Sequence, residues 1–584
     1  MEHVPQVYNR TRILIGLLVA LGCIFVVRLF QLQVLQHDHY QQQAELEHTT
    51  KFTIPAARGL IYARDGTDKF APLVLNELVF TVYADPSYVK DAGKVADVMR
   101  RIAGGNITSG FEDRLKKKEL RYTVLARQVS KTQADMIKKE DLDGVGLQQE
   151  TRRVYPEAQL ASQTLGFVNG EGEGQYGVEQ ALNADLAGKD GLLKAVTDVH
   201  GIPLSVGAES VQTAPQNGKN LVLTIDRNIQ AKTEAFLKSG LERAKATKGS
   251  VLVMDPNNGH ILAMANWPTY NPNDMRNVDY EVLRNKVVSD PYEPGSVIKA
   301  LTMGVGLNEG KIQPNTTYNN TTTIKVQDAV IRNVLTSPTG QVTMTQVLQF
   351  SFNTGVVQVL KWLGGGEDIN QKGKETLYKY FTENYLFGKK TGVTLAGEVS
   401  GEIISPDDPQ GGDVRYANMS FGQGMSASML QVLAAFGASI NGGTYYQPHI
   451  VDGYLGADLK TFTSAPSKIT RTGVLSADAS AKLRQMLHDA RAGSAVAHGE
   501  KGGYYTGGKT GTAQVYDPKT GNYSDTETIG SYLGFGGQDK PQYVIMVRVD
   551  DARNGGFSGS AAAAPIFTEL SNWMLDYLQI QPKG

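Results

Sequence analysis

Tyr292-Glu-Pro-Gly-Ser-Val-Ile-Lys-Ala-Leu301 is the stretch whose reading decides how the rest of the chain is organised. Pro294-Gly295 predicts a turn. The apolar run that opens directly after it (Val297, Ile298, Ala300, Leu301, Met303, Val305, Leu307) predicts the first turn of a buried helix. Ser296 and Lys299 stand three apart, so on a helix they share a face and can touch. A serine hydroxyl is a weak nucleophile until a neighbouring base takes its proton, and a lysine serves as that base only where burial lowers its pKa. An apolar helix start supplies such burial. The same pattern recurs at Ser87-Tyr-Val-Lys90, where a solvated helix turn is the plainer reading, so the pair gains meaning only from its surroundings.

Those surroundings begin with composition. A chain of 584 residues has room for two or more domains. With 41% hydrophobic and 20% charged residues it can bury a large core. A net charge of -1 gives no electrostatic case for a nucleic-acid partner. The single cysteine, Cys23, lies in an apolar stretch, which excludes an intrachain disulfide and a cysteine-based zinc site and argues against thiol catalysis. The 9 histidines show no metal-ligand spacing. A serine enzyme needing neither metal nor organic cofactor is the expectation.

Ile13 to Val27 carries no charge, but fifteen helical residues span only about 22 Å against a hydrocarbon core of about 30 Å. The helix must therefore carry Arg28 in and continue through Val34. Arg28 can snorkel to the interface or pair with a polar group on another membrane protein. Arg10 and Arg12 precede the run, whereas Gln36, Asp38, Gln41, Gln42, Gln43 and Glu45 follow it, which places the N-terminus in the cytoplasm and everything from about His37 outside the membrane. A cleaved signal peptide has similar marks, yet the small residues Ala20 and Gly22 sit within the apolar run rather than after it, so an uncleaved single-pass anchor in the cell membrane is expected.

The expected organisation is a cytoplasmic tail (1–12), an anchor (13–35), a non-catalytic domain (36–220) and a catalytic domain (221–584). In the third part Val74 to Tyr83 alternates like a strand, Ser87 to Ile102 has helical spacing, and Ser130 with Gln133 forms a capping box. Arg114, Lys116, Lys117 and Lys118 read as a solvated face. A strand from Leu221 to Ile225 and a helix capped by Asp226 open the last part. There Gly249–Met254 and His260–Met264 read as a hairpin, Tyr504–Lys509, Ile529–Phe535 and Tyr543–Val549 as strands, and Ser560–Leu578 as a helix. Strands at both ends with helices between predict one antiparallel sheet packed against a helical cluster, an α+β fold.

Two more stretches carry chemistry. Ser351-Phe-Asn353 falls between a helix capped by Thr343 and Gln346 and the apolar run Val356–Leu360, where a loop can present a hydroxyl to relay a proton and an amide to hold a carbonyl. Its copy, Ser439-Ile-Asn441, precedes Gly442-Gly443 and reads as a helix end. Lys509-Thr-Gly-Thr-Ala513 follows Gly507-Gly508, whose missing side chains let a substrate backbone approach an edge strand; the lysine supplies positive charge and the threonine hydroxyls suit a carboxylate. Its copies at Lys390 and Lys519 read as a loop and a surface turn.

Taken in order, Ser296-Val-Ile-Lys299, Ser351-Phe-Asn353 and Lys509-Thr-Gly511 match the three signatures of the penicillin-binding-protein and serine β-lactamase superfamily. Tyr292-Glu-Pro-Gly-Ser, Arg58-Gly-Leu-Ile-Tyr, Tyr176-Gly-Val-Glu179, Ser420-Phe-Gly-Gln-Gly424 and Arg28-Leu-Phe-Gln31 resemble the class B, monofunctional transpeptidases, most of all the septal division type (FtsI type). The resemblance implies a β-lactamase-like penicillin-binding domain on an elongated mixed α/β pedestal of dimerisation type. It also implies cross-linking of peptidoglycan stem peptides, a D-Ala-D-Ala donor and an amine acceptor, through a serine acyl-enzyme that β-lactams block. On this reading Ser296 attacks, Lys299 is the base, Ser351 and Lys509 pass the proton to the leaving D-alanine, and Asn353 orients the donor. Thr510, Gly511 and Thr512 bind the terminal carboxylate, and the amides of Ser296 and Thr512 form the oxyanion hole. Implied partners are a polytopic membrane glycosyltransferase and other division proteins. An elongation-specific enzyme, a β-lactam hydrolase or sensor, and a non-catalytic division scaffold are the alternatives. Ala63 stands where the family usually carries an acidic residue, which bears on a pedestal contact and on no catalytic group.

Overall fold

The computed structural model describes residues 7–38, 40, 49–66, 69–196, 211–517, 522–553 and 559–583. Contacts divide the chain into two units, Met1–Arg58 with Ala187–Gly218, and Gly59–Leu186 with Lys219–Gly584. In the first, an α-helix over Val7–Phe30 runs into a π-turn at Gln31–Leu35. The helical span Arg10–Leu35 has 26 residues and contains an 18-residue window of mean hydropathy 2.8, long enough at 1.5 Å per residue to cross a bilayer core. Arg28 donates to Gln31 Oε1 at 2.9 Å, so its partner in this structure lies one turn along the same helix. A three-stranded antiparallel sheet places Gly191–Val196 between Thr49–Ile54 and Val211–Thr213.

The second unit contains two large sheets. One runs Phe462–Ser464, Val451–Leu455, Asn220–Asp226, Ile61–Arg64, Phe70–Ala84, Thr123–Ser130, with Val145–Val154 also on Phe70–Ala84. It takes strands from both sides of residue 220. The capping box at Ser130 is present, and Asp226 caps the helix Arg227–Ala244 by accepting from Asn228 N and Ile229 N. Ala63 is fully buried, and its neighbour Arg64 pairs with Asp452 at 2.6 Å. Glu179, with no exposure, accepts from Arg153 Nε at 2.8 Å; removing either would strand a buried charge.

Two expectations fail here. The helix begins at Ala92, capped by Asp91, and not at Ser87. Asp85 accepts from both Ser87 N (2.9 Å) and Ser87 Oγ (2.6 Å), and this local turn competes successfully with the helix. The basic face is not wholly solvated either: Lys118 Nζ donates to Pro86 O at 2.7 Å and Val89 O at 2.5 Å, tying down that same turn.

The other sheet is five-stranded and antiparallel in the order Ile261–Trp267, Lys248–Met254, Pro541–Asp550, Asn522–Gly537, Gly507–Asp517. Strands from residues 248–267 and 507–550 thus build one sheet, and Gly507–Asp517 is one of its edges. That strand starts at Gly507 rather than Tyr504, although Tyr505 N still donates across to Gly537 O. Alternation sorts the side chains. Val251, Val253, Ile545 and Val547 pack with helices Arg227–Ala244 and Gly559–Tyr577, whereas Leu252, Met254, Val544 and Met546 join the large core. That core holds Ile298–Asn308, buried at every residue but Asn308, as an all-round apolar helix must be.

Candidate active site

Ser296 does not open an α-helix; it sits in a 3-10 turn, Gly295–Val297, that feeds the helix beginning at Ile298. In so tight a turn residues three apart nearly eclipse, which keeps serine and lysine on one side. The turn is gripped from behind. Gly295 N donates to Gly422 O at 2.9 Å, Tyr292 and Ala427 exchange backbone bonds of 3.1 and 3.0 Å, and Gly424 N donates to Glu293 Oε1 at 2.8 Å. Gly422, at φ +85°, has no room for a side chain, since a Cβ would stand 2.1 Å from Gly295 O. In front lies the edge strand, with Thr512 O 3.0 Å from where a Cβ on Gly295 would be. The loop Ser420–Gly424, a mere family marker in sequence, is therefore the seat of the Ser296 turn.

Lys299 is wholly buried, and its Nζ donates to Ser351 O at 2.6 Å and Ser351 Oγ at 3.1 Å. Ser351 makes this possible by adopting a left-handed backbone, φ 58°, at the end of the helix Met344–Phe350, a conformation rare outside glycine. Burial, helped by the nearby Lys509 cation, holds the Lys299 amine well below the usual lysine range. Lys509, 3% exposed, donates to Thr510 O at 3.0 Å and Thr510 Oγ1 at 3.2 Å, and burial lowers its pKa to about 7.

Asn353 opens the helix Asn353–Leu363 and donates through Nδ2 to Arg332 O at 2.8 Å. A buried polar network that sequence reading did not find holds this region. Asn333 accepts from Thr354 N (3.0 Å) and donates to Asn320 Oδ1 (2.9 Å) and Thr354 Oγ1 (3.0 Å), while Tyr318 OH meets Thr354 Oγ1 at 2.9 Å. No periodicity flags these residues, because isolated polar positions in distant strands become partners only on folding. Thr512 is exposed and accepts from Gly559 N at 3.2 Å; Gly511 is buried and Thr510 half-buried.

The duplicate motifs among the described residues stay apart from the Ser296, Ser351 and Lys509 groups. Ser439 donates to Ala435 O inside the helix Met429–Ile440, Lys390 is exposed in a loop, and Lys519 lies outside the described residues. Among the described residues no cluster of three or more His, Cys, Asp or Glu is placed to hold a metal. What the geometry assembles is a hydroxyl on a rigid turn, a buried amine of lowered pKa bonded to a second serine, and an edge strand bearing a second buried amine.

The penicillin binding protein transpeptidase domain model matches residues 249–572, more than half of the chain. The chain belongs to that family. The penicillin-binding protein dimerisation domain model matches residues 53–223. Stage V sporulation protein D of Bacillus subtilis is 30% identical over 100% of this chain and 88% of its own length. Peptidoglycan D,D-transpeptidase FtsI of Escherichia coli is 29% identical over 100% and 94%. Among solved structures, penicillin binding protein 2X from Streptococcus thermophilus superposes with TM-score 0.73 at 25% identity, covering 91% of this chain and 80% of that one. Penicillin binding protein 3 from Mycobacterium tuberculosis, complexed with aztreonam, shares the fold at TM-score 0.69 and 24% identity, covering 91% and 98%.

Proposed function

We propose that this chain is a peptidoglycan D,D-transpeptidase that works through an acyl-enzyme on Ser296. The observation that carries the reading is Lys299: fully buried, of lowered pKa, and bonded to Ser351. A neutral amine here takes the Ser296 proton as Oγ bonds to the D-Ala-D-Ala carbonyl carbon. Collapse of the tetrahedral intermediate breaks the peptide bond, and Ser351 with Lys509 passes the proton to the departing D-alanine. The acceptor amine then attacks the acyl carbon to form the new amide, and the proton it loses returns to Ser296 Oγ as the ester bond breaks. The amides of Ser296 and Thr512 serve as the oxyanion hole, where losing one donor costs about 3 kcal/mol. Asn353 orients the donor, and Thr510 and Thr512, flanking Gly511, hold its terminal carboxylate.

The likeness to FtsI favours a septal role, with a cytoplasmic N-terminus, an extracytoplasmic catalytic domain, and a membrane glycosyltransferase among its partners. The likeness to a sporulation protein supports a second reading, cross-linking confined to spore formation. Mass spectrometry after exposure to a β-lactam tests the chemistry: the adduct is expected on Ser296, and an adduct on Ser87 or none at all overturns it. Depletion separates the roles, filaments marking septation, round cells elongation, and a sporulation defect alone the second reading.

A further inference from the structure

Two glycines lead into the edge strand, and they have to be held from outside. Gly507 and Gly508 have no side chains to pack and lose more backbone freedom on folding than any other residue type would. Among the described strands, Gly507–Asp517 pairs only with Asn522–Gly537. Lys509 follows the glycines directly, and its Nζ bonds to Thr510 O and Thr510 Oγ1, with no hydrogen bond from across the cleft among the described residues. Where Lys509 points therefore depends on how the start of the strand is held. Helix Ala477–Ala492, with Arg491 in its last turn, does the holding. Leu483, Met486 and Leu487 place that helix on the face of the sheet that carries Leu533 and Phe535, whereas Tyr532 and Phe567 belong to the opposite face. Arg491, 2% exposed, joins the two faces beside the glycines. Its guanidinium donates to Tyr532 OH and, at 2.9 Å, to Thr568 Oγ1; it pairs with Glu500 at 3.0 Å and lies 5.1 and 4.9 Å over the Tyr532 and Phe567 rings. The strand rests on Tyr532, since a Cβ on Gly508 would stand 2.6 Å from its hydroxyl oxygen. One turn earlier on the same helix, His488 Nδ1 donates to Thr506 O at 2.7 Å.

An apolar side chain of similar length would fill this space without the cost of burying a charge, so what the guanidinium adds is direction. A planar fork bonded to Glu500, Tyr532 and Thr568 together admits one placement of the Tyr532 hydroxyl under Gly508. We propose that Arg491 is a positioning residue for proton transfer by Lys509: through Tyr532 it fixes the backbone at Gly508, and with it the point at which Lys509 enters the cleft. The proposal rests on the transpeptidase reading. The titratable groups about this strand are Lys299 across the cleft, whose pKa burial and the Lys509 cation lower, and His488, Glu500, Tyr505 and Tyr532 around its start. Burial is also what lowers the Lys509 pKa to about 7, so a strand that lifts and admits water raises it toward the ordinary lysine value.

The test follows acylation of the full chain in detergent by a fluorescent penicillin, at pH values from below the Lys509 pKa to well above it, with thermal unfolding of each protein measured alongside. Arg491→Met should slow acylation by about tenfold to a hundredfold, the scale of a misplaced catalytic group, and shift the descending alkaline limb to higher pH. Losing a nearby cation would itself raise a lysine pKa, so Tyr532→Phe is the deciding variant. It keeps the guanidinium charge, removes only the bonded hydroxyl, and should slow acylation and move the limb in the same direction, by less. A Tyr532→Phe protein that is folded at the assay temperature and keeps the wild-type limb overturns the proposal, whether or not its rate falls, because a structural contact alone moves no pH profile. Should Arg491→Met fail to fold, Thr568→Val, which also keeps the charge, joins Tyr532→Phe under the same criterion. A wild type that takes up no label defeats the transpeptidase reading itself, whereas a labelled wild type matched in rate and limb by Tyr532→Phe defeats only the role of Arg491.

Discussion

Ser87-Tyr-Val-Lys90 and Ser296-Val-Ile-Lys299 share one spacing and reach opposite environments. At the first, Ser87 Oγ donates to Asp85 and accepts from Arg121 at 2.6 Å, and the Lys90 side chain, 80% exposed, pairs with Asp143 at 3.2 Å. At the second, Lys299 is fully buried and, among the described residues, has no carboxylate partner; its Nζ donates to the carbonyl and hydroxyl of Ser351. The comparison teaches that spacing alone settles neither partner nor environment: packing leaves one amine in solvent beside a carboxylate and buries the other against a hydroxyl, and burial disfavours its charged form.

The sharpest way to break the comparison is to remove each serine. Ser296→Ala should abolish labelling by fluorescent penicillin, and Ser87→Ala should leave it intact; the reverse pattern would sink the assignment. Next comes the base. Lys299→Met should slow acylation by about a hundredfold to ten-thousandfold, as loss of a general base does, while Lys90→Met changes the rate constant little.

The seat of the turn should be nearly as sensitive. Gly422→Ala drives a methyl group into the Gly295 carbonyl, so it should cost about 2–3 kcal/mol in denaturant unfolding and slow acylation as well. Gly412→Ala, with nothing within 4 Å of the new Cβ, should stay within about 0.5 kcal/mol. Asn333→Ala strands the Thr354 amide and should cost about 1–3 kcal/mol, with a fall in acylation that tracks the loosened Asn353.

The smallest effect is graded with pH. Because the folded-state pKa of Lys299 is depressed, its neutral form persists well below pH 10.5, and the acylation rate should fall by about tenfold per unit only once pH drops below that lowered value. Lys509 titrates near 7, so loss of its ammonium should draw a descending limb above about pH 7, and Lys509→Arg, which stays charged, should flatten that limb. A profile with no alkaline limb in wild type would remove Lys509 from proton transfer.

Much of the fold was legible from local pattern. The capping boxes at Ser130 and Thr343, the Asp226 cap, the strands of the five-stranded sheet and the closing helix all rest on short-range periodicity and side-chain chemistry, which survive folding unchanged. Local reading failed where a nearby hydrogen bond outcompeted a helix, as Asp85 does at Ser87, and at the strand boundary, which falls at Gly507.

By itself the sequence determined the residue types, their order along the chain and the apolar helix behind Ser296, because each is a property of neighbours in the chain. Only the tertiary structure decided which copy of each motif lies in a cleft. It set the Lys299 amine on Ser351 through a left-handed backbone, seated the turn on Gly422, and brought Asn320 and Asn333 to Thr354. Desolvation and hydrogen-bond partnership belong to whatever packs against a residue, and in this chain the decisive partners lie tens to hundreds of positions away.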